Sequence, residues 1–152
     1  MVERVVEDNA VRLFVYRFFV EHGRPPMPVE TASALQVSSA EVEASLRRLA
    51  DQHLLVLAPG TPYVWMANPL CALPSPFRVR ARDRDWYGVC IWDALGVIAM
   101  LGSDGTVTTT CPDCAEPLVI DVRDDELYAP DDRCVVHYLV PAASWWDDIG
   151  FN

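Results

Sequence analysis

Lysine is absent. All 12 basic residues of this 152-residue chain are arginines, and they stand against 22 acids, leaving a net charge of −10. The imbalance is uneven: residues 1–76 hold 8 acids and 6 arginines, net −2, and residues 77–152 hold 14 acids and 6 arginines, net −8. Nucleic-acid affinity rests mainly on neutralising phosphates, so a surface of this sign argues against DNA binding. A long apolar run is missing too. Val11–Val20 is broken by Arg12 and Arg17 and is too short to span a bilayer. Nothing near Met1 has the layout of a signal peptide. A cytoplasmic protein without membrane contact is expected. There is no glycine-rich phosphate loop, no Ser-His-Asp order and no H-E-x-x-H. The five cysteines (Cys71, Cys90, Cys111, Cys114, Cys134) are odd in number, which argues against a disulfide framework. Reduced thiols that are inert, metal-bound or reactive remain.

Apolar residues make up 51% of the chain, enough for one ordinary domain or two small ones. Residues 5–20 place Val6, Leu13, Phe14 and Phe18 at helical spacing, and His22-Gly23-Arg24-Pro25-Pro26 ends that helix. A short helix over Val29–Leu35 follows. Ser38 and Glu41 then form a capping-box pattern, opening a helix that buries Val42, Leu46 and Leu49. Leu54–Leu57 and Tyr63–Met66 read as two strands. Three helices and a hairpin in this order predict a winged helix-turn-helix over residues 1–66. Its recognition helix opens on Glu41 and Glu43 and holds only Arg47 and Arg48 as cations, which favours packing or a protein partner over DNA.

Residues 67–76 are proline-rich and read as a stiff linker. Residues 77–152 then form a second domain. Phe77–Ala81, Val107–Thr110, Leu118–Val122 and Val135–Val140 are its strand candidates, and Cys90–Met100 is its helix. Asp124–Asp132 reads as a solvated acidic connection. The fold class is therefore α+β, with a helix on a small, mostly antiparallel sheet.

Two groups could carry chemistry. In Trp86-Tyr87-Gly88-Val89-Cys90-Ile91-Trp92-Asp93-Ala94-Leu95-Gly96, a helix starting near Cys90 puts that thiol in the first turn. There the helix dipole lowers a thiol pKa, which would make Cys90 the most nucleophilic cysteine. Asp93 lies three residues on, on the same face. A thiolate beside a proton-carrying carboxyl pairs a soft-metal ligand with a general acid. A core cysteine and an aspartate that merely favours a helix start is the competing reading. The second group is Cys111-Pro112-Asp113-Cys114, followed by Cys134-Val135-Val136-His137. The spacing C-x2-C…C-x2-H is that of structural zinc. Were Cys134–Val140 one strand, however, Cys134 and His137 would face opposite sides. A partial site or packed thiols is the alternative. His22 and His53 read as surface residues. Of the adjacent Trp145 and Trp146, one is expected to cover the core and the other to meet a partner or the N-terminal domain. A homodimer is kept open.

Residues 77–151 resemble the catalytic domain of the organomercurial (alkylmercury) lyases, and residues 5–66 resemble the winged helix that precedes it in that family. The telling stretches are Trp86-Tyr87-x-x-Cys90-x-Trp92-Asp93-Ala94-Leu95-Gly96, Leu101-Gly102, Cys111-Pro112-Asp113-Cys114-x-Glu116-Pro117, and Val136-His137-x-x-Val140-Pro141-Ala142. The resemblance implies protonolytic cleavage of a carbon–mercury bond, with Cys90 as mercury ligand and Asp93 handling the proton that ends on the leaving carbon. It implies no cofactor for lysis, an organometal substrate, and cellular thiols that remove Hg(II). The family also looks related to treble-clef zinc folds, which favours metal retention at Cys111 and Cys114. A second cysteine completes the family's mercury site, on a strand just after the segment resembling Asp147-Asp148-Ile149-Gly150-Phe151. These 152 residues end before it. Either Cys111, Cys114, Cys134 or a small-molecule thiol replaces it, or the chain does not cleave organomercurials. In the latter case a non-catalytic metal-binding or regulatory winged-helix protein, or another chemistry reusing Cys90 and Asp93, is the alternative.

Overall fold

Helix α1 (Asp8–His22) stops where Gly23 adopts φ 72° and turns its N–H back to the Phe19 carbonyl. The computed structural model describes residues 6–150. Val5 and Phe151, both within elements expected from sequence, lie outside the described residues. The chain divides between Leu73 and Pro74 into two units.

In the first unit α1 buries Val11, Val15 and Phe19, while Leu13 is 45% exposed, so the inward face differs from the one expected. Helix α2 (Pro28–Leu35) starts on a proline, and α3 (Ser39–Asp51) is opened by the expected capping box. There Ser38 Oγ accepts the Glu41 N–H at 3.2 Å, and Glu41 Oε2 accepts the Ser38 N–H at 2.8 Å. Val42, Leu46 and Leu49 are buried as expected. Strands β1 (Val56–Leu57), β2 (Val64–Ala67) and β3 (Leu70–Cys71) form an antiparallel sheet in that order. The expected linker over 67–76 is corrected in its first half. Ala67 pairs with Leu70 across a cis Asn68–Pro69 turn, and both Leu70 and Cys71 are buried. Proline stiffness there makes a tight turn rather than a spacer.

One polar contact ties α1 to α3. Asp8 accepts from Ser45 Oγ at 2.7 Å and from Arg48 at 2.6 and 3.0 Å, and Ser45 is fully buried. The Arg48 guanidinium holds the Asp8 carboxyl below its ordinary range. Asp8→Ala leaves a buried hydroxyl unpaired and should destabilise the chain by about 1–3 kcal/mol, measured as a lower urea midpoint. Because the folded pKa is depressed, wild type holds this contribution above the unfolded carboxyl value and loses it as pH falls through the folded one. The gap between the two proteins should therefore close in acid.

The second unit is a five-stranded antiparallel sheet in the order β5-β4-β6-β7-β8. Its strands are β4 (Phe77–Ala81), β5 (Arg84–Gly88), β6 (Gly105–Thr110), β7 (Pro117–Arg123) and β8 (Glu126–Tyr128). Helix α4 (Ile91–Leu101) lies on β4, β5 and β6. It buries Ala94, Val97, Ile98 and Leu101 on the face carrying Val79, Ala81, Trp86 and Val107. The α+β class is as expected. Two hairpins turn on paired positive-φ residues, Arg82-Asp83 and Asp124-Asp125, the geometry that suits two-residue connections. The acidic segment thus contains a turn and the edge strand β8. Val135–Val140 is not a strand: it pairs with no strand among the described residues, and Val135 and Leu139 are 85% and 72% exposed. Among the described residues no helix is long and apolar enough to cross a membrane.

Candidate active site

The second unit delivers its thiol–carboxyl pair at a strand-to-helix corner. β5 ends at Gly88, Val89 makes the turn, and Cys90 occupies the N-cap of α4 with extended φ −135° and ψ 179°. Its carbonyl accepts the Ala94 N–H at 3.0 Å, the first helical bond, which places Asp93 in the first turn. Sγ of Cys90 donates to Oδ2 of Asp93 across 3.8 Å. Backbone N–H groups of Val89 and Cys90 point at the Asp93 carboxylate, and those of Trp92 and Asp93 lie toward the sulfur. Both side chains are half-buried, whereas the intervening Trp92 is 62% exposed.

Burial sets the chemistry of the pair. It pushes the Asp93 carboxyl above the ordinary carboxylate range, against the pull of the backbone donors. It also pushes the Cys90 thiol up, and the Asp93 charge adds to that. The first-turn field expected to lower the thiol pKa is outweighed by desolvation and by a like charge. Cys90 in the free protein is therefore a thiol with its proton facing a carboxyl group. At Cys111 the backbone N–H groups of Cys114 and Asp113 act the other way and hold the thiol below its ordinary value.

Two neighbours hold the corner, and neither stands out in the sequence. A Cβ on Gly88 would lie 2.5 Å from the Ala94 nitrogen, so only glycine lets β5 approach α4 this closely. Ser75 Oγ donates to the Gly88 carbonyl at 2.5 Å and accepts the Phe77 N–H at 3.0 Å, pinning the strand end. The signal for Gly88 was its place two residues before the thiol, between a strand and a helix start.

The expected zinc set does not assemble. Cys111 and Cys114 share the β6–β7 turn, but Cys134 and His137 lie in an exposed segment without regular structure. Among the described residues no three of His, Cys, Asp and Glu converge as metal ligands. Nothing holds the Cys134–His137 segment, which lacks regular structure and is exposed throughout, against the β6–β7 turn. Cys71 lies buried on β3 in the first unit, and none of the five cysteines is in a disulfide. Trp145 donates to the Val140 carbonyl at 3.1 Å and packs on Tyr138, while Trp146 is 38% exposed.

With this corner established, comparison with known proteins is informative. The model of the alkylmercury lyase family matches residues 70–151, which include the whole pair-bearing sheet and helix. The chain belongs to the alkylmercury lyase family. A solved structure described as the mercury-bound form of MerB2 shares the fold, with a TM-score of 0.66 and 16% identity over 85% of this chain. This chain covers 63% of that protein's length. No curated protein matches. The family match contains Cys90, Asp93, Cys111, Cys114, Cys134 and His137, and the family's name gives the thiol–carboxyl corner a reaction to be weighed against.

Proposed function

We propose that this chain is an organomercurial lyase-like protein that cleaves a carbon–mercury bond by protonolysis at Cys90 and Asp93. The observation that carries the reading is the 3.8 Å contact between the Cys90 thiol and the Asp93 carboxylate at a half-buried helix start. Mercury is soft and displaces a thiol proton, and here that proton already faces an oxygen able to take it. The balance is simple. The Cys90 sulfur bonds mercury, its proton passes to Asp93, and the anion that accompanied the organomercurial leaves. A second thiolate then adds to mercury. Asp93 returns the proton to the carbon as the carbon–mercury electron pair collapses onto it, giving the hydrocarbon and a dithiolate of Hg(II). Burial favours the protonated Asp93 that this last step requires. Cellular thiols are the natural source of the second ligand, because no other cysteine joins the Cys90–Asp93 pair among the described residues.

The first unit is read as a winged helix that packs or meets a protein rather than DNA. In support, both cations of α3 are engaged, Arg47 with Glu43 at 3.3 Å and Arg48 with Asp8 at 2.6 Å. A cytoplasmic location fits a substrate that arrives bound to small thiols.

The test is benzene release from phenylmercury with excess thiol, run beside a mercury-binding titration at Cys90. Wild type should release benzene, and Cys90→Ser should lose both that release and the ion bound at this site, since a hydroxyl is a poor ligand for a soft cation. Wild type that binds mercury at Cys90 and makes no benzene would remove the enzyme reading.

A further inference from the structure

A second pair of sulfurs sits apart from Cys90, in the turn between β6 and β7. The Cys111 N–H donates to the Glu116 carbonyl and the Ala115 N–H to the Cys111 carbonyl, both at 2.9 Å, closing Cys111-Pro112-Asp113-Cys114-Ala115-Glu116 into a knuckle. Pro112 fixes one backbone angle. Ala115 holds φ 60°, a left-handed position where glycine is usual. Backbone N–H groups of the turn act on both sulfurs, those of Asp113 and Cys114 on Cys111 and that of Glu116 on Cys114, and the two thiols act on each other. Cysteines that merely pack are buried, but Cys114 is exposed and Cys111 only half-buried. A zinc ion wants four ligands, and no third His, Cys, Asp or Glu approaches among the described residues. A soft cation content with two thiolates fits what is there.

We propose that the Cys111–Cys114 turn is a two-coordinate thiolate site for a soft cation, and that it accepts the mercuric ion left at Cys90. The second half rests on the lyase reading; the first does not. The sheet register supplies the route. Gly88 pairs with Phe77, and Thr108 pairs with Arg78 on the other side of β4. The chain therefore leaves β5 toward Cys90 and β6 toward Cys111 at the same end of the sheet, about 10 Å apart by two strand spacings. That suits passage from one site to the other better than joint ligation of one ion. In the exchange, Cys111 and Cys114 each give a lone pair to mercury. The departing sulfurs, Cys90 and a small-molecule thiol, keep their bonding pairs and take up the protons the knuckle releases. No oxidation state changes.

The experiment uses the full chain with Cys90→Ser and Hg(II) itself as probe, so it needs no turnover. One ion should bind per chain with a thiolate-to-mercury charge-transfer band, and X-ray absorption should find two sulfur neighbours. Adding Cys111→Ser or Cys114→Ser singly should weaken binding roughly 10²–10⁴-fold against a competing monothiol, the size of a lost chelate. Both are conservative changes at a surface turn, and circular dichroism checks that each variant is folded. Affinity indifferent to both serines would overturn the site. Half an ion per chain with four sulfurs would overturn it too, in favour of a tetrahedral ion shared by two chains. For the handover, wild type after phenylmercury turnover in limiting thiol should carry the ion on the Cys111–Cys114 peptide; recovery on the Cys90 peptide would exclude transfer. A chain that binds at the knuckle yet makes no benzene keeps the site and loses only the lyase.

Discussion

Asp93→Asn should bind mercury at Cys90 and release hydrocarbon about 10²–10⁴-fold more slowly, the usual size of a lost general acid. The thiol ligand survives the change, and the amide oxygen can still accept the Val89 and Cys90 N–H groups that hold the side chain. What disappears is the carboxyl group that the Cys90 thiol faces, which can take up its proton and give it back. Stability should move the other way. The folded pKa of Asp93 is raised by burial, so its favourable contribution is complete below the unfolded carboxyl value and is lost as pH rises through the folded one. At neutral pH the wild type carries the cost of a half-buried charge and the amide does not. The variant should therefore unfold at an equal or higher urea concentration near neutrality, with the difference shrinking or reversing in acid. Slow release in a chain of undiminished stability separates a chemical role for Asp93 from a capping role, which would show the opposite pattern. Turnover surviving in Asp93→Asn would assign the proton to another group.

Much of this site could be read from spacing, because spacing is what local structure depends on. A thiol and a carboxyl three residues apart must share a face once a helix begins between Gly88 and Ile91, and the observed N-cap is Cys90 itself. Ser38 and Glu41 were legible as a cap for the same reason. The direction of the Cys90 shift was not legible, because desolvation belongs to how deeply β5 and α4 bury the corner, and no local pattern states that depth. Short polar strands escaped too. Arg84-Asp85-Trp86-Tyr87-Gly88 and Glu126-Leu127-Tyr128 owe their strand state to a paired neighbour and a tight turn rather than to their own residues. Val135–Val140 failed for the converse reason: alternation specifies a face to bury but not a partner to pair with, and the segment stays exposed. The C-x2-C…C-x2-H spacing likewise states which residues could ligate but not that the exposed Cys134–His137 segment comes to Cys111 and Cys114, and among the described residues it does not.

Gly88→Ala should damage the site more than any change of similar size. The added methyl would meet the Ala94 nitrogen at 2.5 Å, and the Ala94 Cα and Asp93 carbonyl carbon at 3.0 Å. These are backbone atoms of the first helical turn and cannot rotate aside, so either α4 lifts off β5 or the strand end twists. Overpacking of this kind costs about 1–3 kcal/mol, visible as a lower urea midpoint. The larger effect should fall on turnover. Cys90 and Asp93 ride on the turn that moves, while Ser75 holds the Gly88 carbonyl where it is. A displacement of about 1 Å between reacting groups can cost on the order of 10²-fold in rate. Gly102→Ala is the control, at the far end of the same helix. There the methyl meets nothing within 4 Å and the only penalty is a residue held at φ 57°. Gly102→Ala should lose stability and keep its rate per folded molecule, whereas Gly88→Ala should lose both. Equal rates in the two variants would mean that the close approach of β5 to α4 serves packing alone.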